Sequence, residues 1–327
     1  MNTFSYTLAT RPEDALRART AARTAYLGGG TNLIDHIKLG VERPDALIDV
    51  RKIGLDKIEA LDGGGLRIGA AVRNTALAYD GRVQKAFPAL SQALLSGASP
   101  QLRNAATTAG NLLQRTRCYY FRDGVSPCNK RAPGSGCAAL TGLNRIHAVL
   151  GTSERCIATH PSDMDVALVA LDARVRLSGV DGERVVPLVD FYVAYGEDPA
   201  RENVLAPGEL ITAVDLPATP WFARSHYFKA RERASYEFAL ASAAVALDVR
   251  DGVVRDCRIA LGGVATKPWR ALAAEAALKG ATPTEENFLA AANAELKAAV
   301  PRAHNGFKIE LCRRVITQAL LTAAAPV

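Results

Sequence analysis

Four of the six cysteines, Cys118, Cys128, Cys137 and Cys156, fall within 39 residues, separated by 9, 8 and 18 positions. They constrain the fold because the chain around them reads as a long loop. Residues 117–143 hold Pro127, Pro133 and four glycines, with no sustained apolar period. A loop of that length inside a domain is usually functional or disordered. No basic stretch followed by an apolar one opens the sequence, so we expect no signal peptide and folding in the cytoplasm. In that compartment clustered cysteines favour metal ligation over disulfides. The spacing lacks both the Cys-x2-Cys knuckle of most structural zinc sites and the compact run of a ferredoxin. Zinc, an iron–sulfur cluster and unligated thiols therefore all remain open on spacing alone. Cys257, in a predicted strand, and Cys312, in an apolar helix, read as core thiols.

The same region is basic. Between Gln101 and Cys156 eight Lys or Arg residues face only Asp123 and Glu154, which accounts for +6 of the net +7. Such charge suits a site that gathers thiolates. Tyr119, Tyr120 and Phe121 could serve as stacking aromatics on a nucleic acid, but the cysteines give the charge another reason, and no nucleic-acid partner is expected. With 49% apolar and 22% charged residues the 327-residue chain can bury a sizeable core over two or three domains. No run reaches the ~18 uninterrupted apolar residues of a membrane helix, so no membrane insertion is expected.

Along the chain, Thr10-Arg11-Pro12-Glu13 reads as a capping box that opens a helix, Thr10 accepting from the N–H of residue 13. Ala25–Leu27 and Ala46–Val50 read as strands on either side of a helix at Leu33–Ile37, a small α/β unit over the first fifty residues. A hairpin follows through Gly63-Gly64-Gly65, then helices at Asn74–Ala78, Phe87–Leu95 and Asp163–Leu171. Arg174–Leu177 and Val185–Leu188 flank an Asp181-Gly182 turn. The pattern changes near Pro217–Trp221, where we place a domain boundary. Beyond it a second hairpin, Phe238–Val249 with Val253–Leu261, precedes helices at Thr284–Ala299 and Phe307–Thr322.

Gly28-Gly29-Gly30-Thr31-Asn32 lies between the first of those strands and its helix. Consecutive glycines let backbone N–H groups converge on a diphosphate, but the third Rossmann glycine is missing, since position 33 is Leu, and a tight strand–helix turn explains the run equally well. Gln101-Leu102-Arg103-Asn104, Thr107-Thr108-Ala109-Gly110-Asn111 and His160-Pro161-Ser162-Asp163 add hydroxyl, amide and carboxylate groups suited to a ribityl chain or a flavin edge. Ser162 or Asp163 is also an obvious helix N-cap.

In this order the motifs resemble the FAD-binding medium subunit of the xanthine dehydrogenase, or molybdenum hydroxylase, family. Within it the likeness is nearest to the flavoprotein subunit of the bacterial periplasmic aldehyde oxidoreductases. It extends over essentially the whole chain, including Gly262-Gly263-Val264-Ala265 and Lys267-Pro268-Trp269-Arg270. The resemblance implies an α+β protein: a two-subdomain FAD-binding domain of the vanillyl-alcohol oxidase (PCMH) type over 1–218, divided near residue 53 and carrying a cysteine-rich loop at about 115–157. A C-terminal antiparallel sheet with helices would occupy 219–327.

By the same likeness FAD would be held by Tyr26, Leu27, Gly28, Gly29, Gly30, Thr31, Asn32, Leu33 and Ile34, with the glycine run on the pyrophosphate. Thr108, Gly110, Asn111, Ser162 and Asp163 would bind the rest of its length, and Lys229 would lie near the flavin. Cys118, Cys128, Cys137 and Cys156 would ligate a [4Fe–4S] cluster, in an insertion most family members lack. The implied function is electron transfer in an aldehyde-oxidising heterotrimer with a molybdenum-cofactor subunit and a small [2Fe–2S] subunit. No catalytic side chain is assigned. No nicotinamide-binding signature is recognisable, which points to ferredoxin, a quinone or oxygen as acceptor. A periplasmic destination would require co-export with a signal-bearing partner. The rival readings are the flavoprotein subunit of another molybdenum hydroxylase and a free-standing FAD oxidase with a zinc-binding loop.

Overall fold

The computed structural model describes residues 2–18, 23–196 and 198–325, and in them the chain forms three sheets in sequence order. The first contains β1 (Ser5–Leu8), β2 (Thr24–Leu27) and β3 (Ala46–Asp49), all parallel, in the order β1-β3-β2. The anticipated strand–helix–strand unit is present, with the helix at Leu33–Lys38. β1 was not anticipated: all four of its residues are exposed, so it lacks the alternation that marks a half-buried strand.

The second sheet is antiparallel: β4 (Ile58–Ala60), β5 (Leu66–Gly69), β6 (Arg174–Gly179), β7 (Gly182–Pro187) and β8 (Leu210–Leu216), ordered β4-β5-β8-β6-β7. The third, also antiparallel, contains β9 (Ser225–Ala230), β10 (Ala241–Arg250), β11 (Val253–Gly262) and β12 (Trp269–Arg270), ordered β12-β11-β10-β9. The second anticipated hairpin is therefore β10–β11, but its first strand starts at Ala241, three residues later than the sequence pattern suggests. The helix Phe307–Ala324 packs on this last sheet, and Glu285–Leu296, N-capped by Thr284, packs on that helix and on Leu272–Leu278. Among the described residues no helix is long and apolar enough to cross a membrane.

β10 shows how the last two sheets are joined. Its alternate residues face two cores: Ala243, Val245 and Leu247 pack with the C-terminal helices, while Ala244 and Ala246 pack with the core of the second sheet. That second core includes the helix Asp163–Ala170, in which all eight residues are buried. A helix enclosed on every side needs no polar face, which is why its apolar run is almost continuous.

One local expectation fails. The helix begins at Pro12, as a first-turn proline allows, but the capping box does not form. The Thr10 hydroxyl instead donates to the Asp14 carboxylate at 3.2 Å, and Arg11 and Arg17 converge on the same group. A carboxylate one residue further on is the stronger acceptor for all three.

Candidate functional site

The glycine run leaves β2 and meets the segment between the short helices Pro100–Ala105 and Thr108–Leu112. A methyl group on Gly29 would lie 2.1 Å from the Ala105 carbonyl oxygen, and one on Gly28 would lie 2.8 Å from the Thr107 hydroxyl. Close backbone approach therefore demands glycine at 29 whatever binds nearby, and Gly30 has a φ of +76°. Among the described residues none of the backbone N–H groups of 28–32 donates to another group of the chain. A row of free donors on a glycine loop is what an anionic ligand requires.

Beside this loop opens a cavity of about 480 Å³. Thr31, Asn32, Asn111, Asp163 and Lys229, all anticipated from the sequence, line it. Tyr26, Gly28 and Gly110 line a smaller cavity of about 70 Å³. Leu27, Gly29, Gly30, Leu33, Ile34, Thr108 and Ser162 lie in the segments that carry these walls. Thr108 is fully buried, its hydroxyl donating to the Val72 carbonyl at 3.2 Å. Ser162 caps the helix Asp163–Ala170 by accepting from the Asp165 N–H, and its hydroxyl also reaches Asn111 Oδ1 at 2.8 Å. Cap and cavity-wall support thus reside in one residue.

At one end of the cavity Lys229 Nζ lies 2.8 Å from Asp163 Oδ2, the two side chains 3% and 9% exposed. Asp163 Oδ1 accepts from the Tyr227 hydroxyl at 2.5 Å, and Lys229 also donates to the Ser96 carbonyl. Lys229 is therefore a buried, paired cation in the wall, not a solvated strand residue. Two residues on from Asp163, burial raises the Asp165 carboxyl to about 7. The Tyr192 hydroxyl is within reach of both Asp165 Oδ2 (2.7 Å) and the Leu112 carbonyl (3.0 Å). One hydroxyl hydrogen serves one acceptor, so a protonated Asp165 donating to Tyr192 satisfies the whole chain.

Sequence reasoning missed the opposite wall. Arg117, Arg122, Tyr236 and Phe238 line it. The aromatic pair belongs to the β9–β10 connection, where Tyr236 carries no periodic or motif signal and Phe238, read as the start of a strand, lies outside it. The two arginines had been counted only as local charge.

Arg117 and Arg122 flank Cys118, and the structure gathers all four loop thiols. Cys118, Cys128 and Cys156 are buried in one cluster, with the half-buried Cys137 packed against them. Cys128 and Cys137 pair as an isolated antiparallel bridge. Interaction with Cys156 lowers the Cys137 thiol, while the same interaction and burial raise Cys156. Burial pushes Cys118 up to about 12, against the N–H groups of Phe121 and Tyr120. The Ala158 N–H points at the Cys156 sulfur at 3.5 Å, the kind of contact that stabilises a thiolate ligand. Cys257 and Cys312 lie buried in the C-terminal core, as expected.

Among the described residues no three His, Cys, Asp or Glu side chains converge on a point that one metal ion would fill. The basic surplus of the region is mostly paired with distant carboxylates. Arg115 meets Glu42 and Glu202, Lys130 meets Glu202, and Arg117 and Arg122 meet Asp35. The expectation that this charge surrounds the thiols is corrected accordingly, although Lys130 does stay close enough to lower the Cys156 thiol.

Residues 2–219 match the FAD binding domain in molybdopterin dehydrogenase, and 226–323 match the CO dehydrogenase flavoprotein C-terminal domain. The chain belongs to the FAD-binding subunits of the molybdenum hydroxylase family. This FAD-binding subunit is 52% identical over 328 residues to the aldehyde oxidoreductase FAD-binding subunit PaoB of Escherichia coli (strain K12), covering 99% of each chain. It is 27% identical over 273 residues to the glyceraldehyde dehydrogenase medium chain of Sulfolobus acidocaldarius, covering 83% of this chain and 79% of the other. Among solved structures it matches the carbon monoxide dehydrogenase of Hydrogenophaga pseudoflava with a TM-score of 0.76 and 25% identity, over 98% of this chain and 97% of that one. Quinoline 2-oxidoreductase from Pseudomonas putida 86 shares the fold, with a TM-score of 0.77 over 99% and 97% of the two chains. The FAD-binding subunit is thus an α+β component of an oxidoreductase, with an FAD-binding domain followed by the antiparallel C-terminal sheet and its helices.

Proposed function

We propose that this subunit transfers electrons within an aldehyde-oxidising molybdenum hydroxylase, and that it carries a [4Fe–4S] cluster beside its FAD. The observation that carries the proposal is the position of Cys118. It is buried with Cys128 and Cys156, against which the half-buried Cys137 packs, and lies between two arginines of the cavity wall. Aldehyde as the substrate class rests on the 52% identity with an aldehyde oxidoreductase subunit.

In this reading the free N–H groups of 28–32, with Thr31 and Asn32, hold the diphosphate. Gly110, Asn111 and Ser162 support the middle of the cofactor, and Asp163 with Lys229 forms the polar wall at the flavin end. Tyr26, Leu27, Leu33, Ile34 and Thr108 fix the frame. Cys118, Cys128, Cys137 and Cys156 ligate the cluster. When bound, FAD exchanges electrons with one- and two-electron partners, and the cluster supplies a one-electron site. The chain's own side chains bind, orient and set charge. A molybdenum-cofactor subunit and a [2Fe–2S] subunit would complete a heterotrimer, delivering electrons to ferredoxin, a quinone or oxygen.

Iron analysis of two variants tests the cluster. Cys128→Ser is expected to lose most of its iron or retain a damaged cluster, whereas Cys312→Ser keeps the iron of the unaltered protein. Equal iron in both variants would remove the ligand assignment.

A further inference from the structure

Arg117 touches three parts of the molecule that are far apart in sequence. Its Nη2 donates to Asn32 Oδ1 at 2.6 Å and its Nη1 to Asp35 Oδ2 at 3.2 Å, both at the end of the glycine loop. Its guanidinium lies 4.9 Å from the centre of the Phe238 ring, in the β9–β10 connection. Its neighbour in the chain is Cys118, whose sulfur is 3.1 Å from His147 Nε2. Arg122, at the other end of the short helix that Cys118 begins, reaches the same Asp35 carboxylate at 2.9 Å. Asp35 therefore clamps the thiol-bearing helix on both sides.

A second link runs in parallel. Arg145, also in the cysteine loop, pairs with Glu232 at the start of the connection that carries Tyr236 and Phe238. The loop that gathers the thiols thus holds two walls of the FAD cavity: the Asn32 wall through Arg117, and the Phe238 wall through Arg117 and Arg145.

The geometry points to Arg117 as a positioning residue that couples the cysteine quartet to the FAD cavity, so that loading either one favours loading the other. The inference rests on the cluster reading given above. Its physical basis is that one planar guanidinium satisfies Asn32, Asp35 and Phe238 only when Cys118 and the helix behind it are in place. A ligated Cys118 fixes that helix, and bound FAD fixes Asn32 and the Phe238 wall. Two ligands that favour the same placement of a shared element bind cooperatively, and the coupling is reciprocal. A lysine at 117 would keep the charge but not the fork that spans an amide and a carboxylate while stacking on a ring.

The test uses the full chain stripped of FAD, with its iron either retained or removed by a chelator, and titrated with FAD alone. In the unaltered protein the Kd for FAD is expected to be ~10-fold lower with iron than without, within the usual range of coupling between sites. In Arg117→Met the two Kd values should agree within about twofold, and in Arg117→Lys the ratio should fall in between. The reverse readout is the electron paramagnetic resonance spectrum of the reduced cluster. It should change on FAD removal in the unaltered protein and stay the same in Arg117→Met. A merely stabilising ion pair would change neither ratio nor spectrum. Should Arg117→Met fail to fold, Phe238→Ala removes the stacking contact together with part of the cavity wall; both Kd values should then rise, and their ratio should still fall.

Equal Kd values with and without iron in the unaltered protein would overturn the coupling. An undiminished ratio in the Arg117 and Phe238 variants would overturn the role of Arg117. Full iron in Cys128→Ser would instead overturn the cluster reading on which the inference stands.

Discussion

Asp163→Ala is expected to destabilise the folded chain by about 3–5 kcal/mol, the range for removing one partner from a buried ion pair. Lys229 is 3% exposed, and without the carboxylate its ammonium would keep only the Ser96 carbonyl. The Tyr227 hydroxyl, also buried, would lose its acceptor in the same step. Asp163→Asn keeps an acceptor for Tyr227 but not the charge, so it should fall between the two. The pair need not stabilise the fold relative to an apolar pair; the cost arises from the charge left behind. Adding Lys229→Met to Asp163→Ala should therefore recover part of the loss. Thermal unfolding of the four proteins reads this as a fall in Tm of roughly 10 °C for the single alanine variant. A shift within about 2 °C would mean that the pair is not isolated from water.

Gly29→Ala should be nearly as damaging, for a steric reason. The added carbon would sit 2.1 Å from the Ala105 carbonyl oxygen and 2.8 Å from Ala106 Cα, and backbone cannot step aside as a side-chain tip can. Overpacking of this kind costs about 1–3 kcal/mol, and more where backbone must move. The displaced loop is also the one with free N–H groups, so flavin content should fall together with Tm. Gly81→Ala is the matched control. It opens a helix, has no atom within 4 Å of the added carbon, and should leave both measurements unchanged. A Gly29→Ala protein with its full flavin and Tm would show that the loop relaxes freely.

Both predictions concern features that were partly visible before the fold was known. A strand, a glycine run and a helix in succession define a turn that backbone atoms can approach, and four cysteines on an aperiodic loop mark side chains that the fold packs together. Both are local patterns, so they were legible. The charge of the cysteine region was legible only as a sum. Its carboxylate partners Asp35, Glu42 and Glu202 lie tens of residues away in the chain, and only folding brings them to Arg115, Arg117, Arg122 and Lys130. The wall at Tyr236 and Phe238 was illegible because a connection between strands carries no period. Lys229 was singled out by its place in the sequence, and it does line the cavity, but its burial was not legible. That burial depends on Asp163, distant in the chain, which meets Lys229 and Tyr227 of β9 only on folding. The failed capping box is a smaller case of competition: Thr10 had two carboxylates within reach, and three donors gathered on Asp14, the further of the two.

The account stands on a flavin and a multi-iron group held together in one chain. The direct measurement is the ratio of iron to flavin in the purified subunit, with zinc determined on the same sample. The account predicts about four irons per flavin, with the iron held by cysteine thiolates. A full complement of flavin with no iron, or with one zinc in its place, would contradict it.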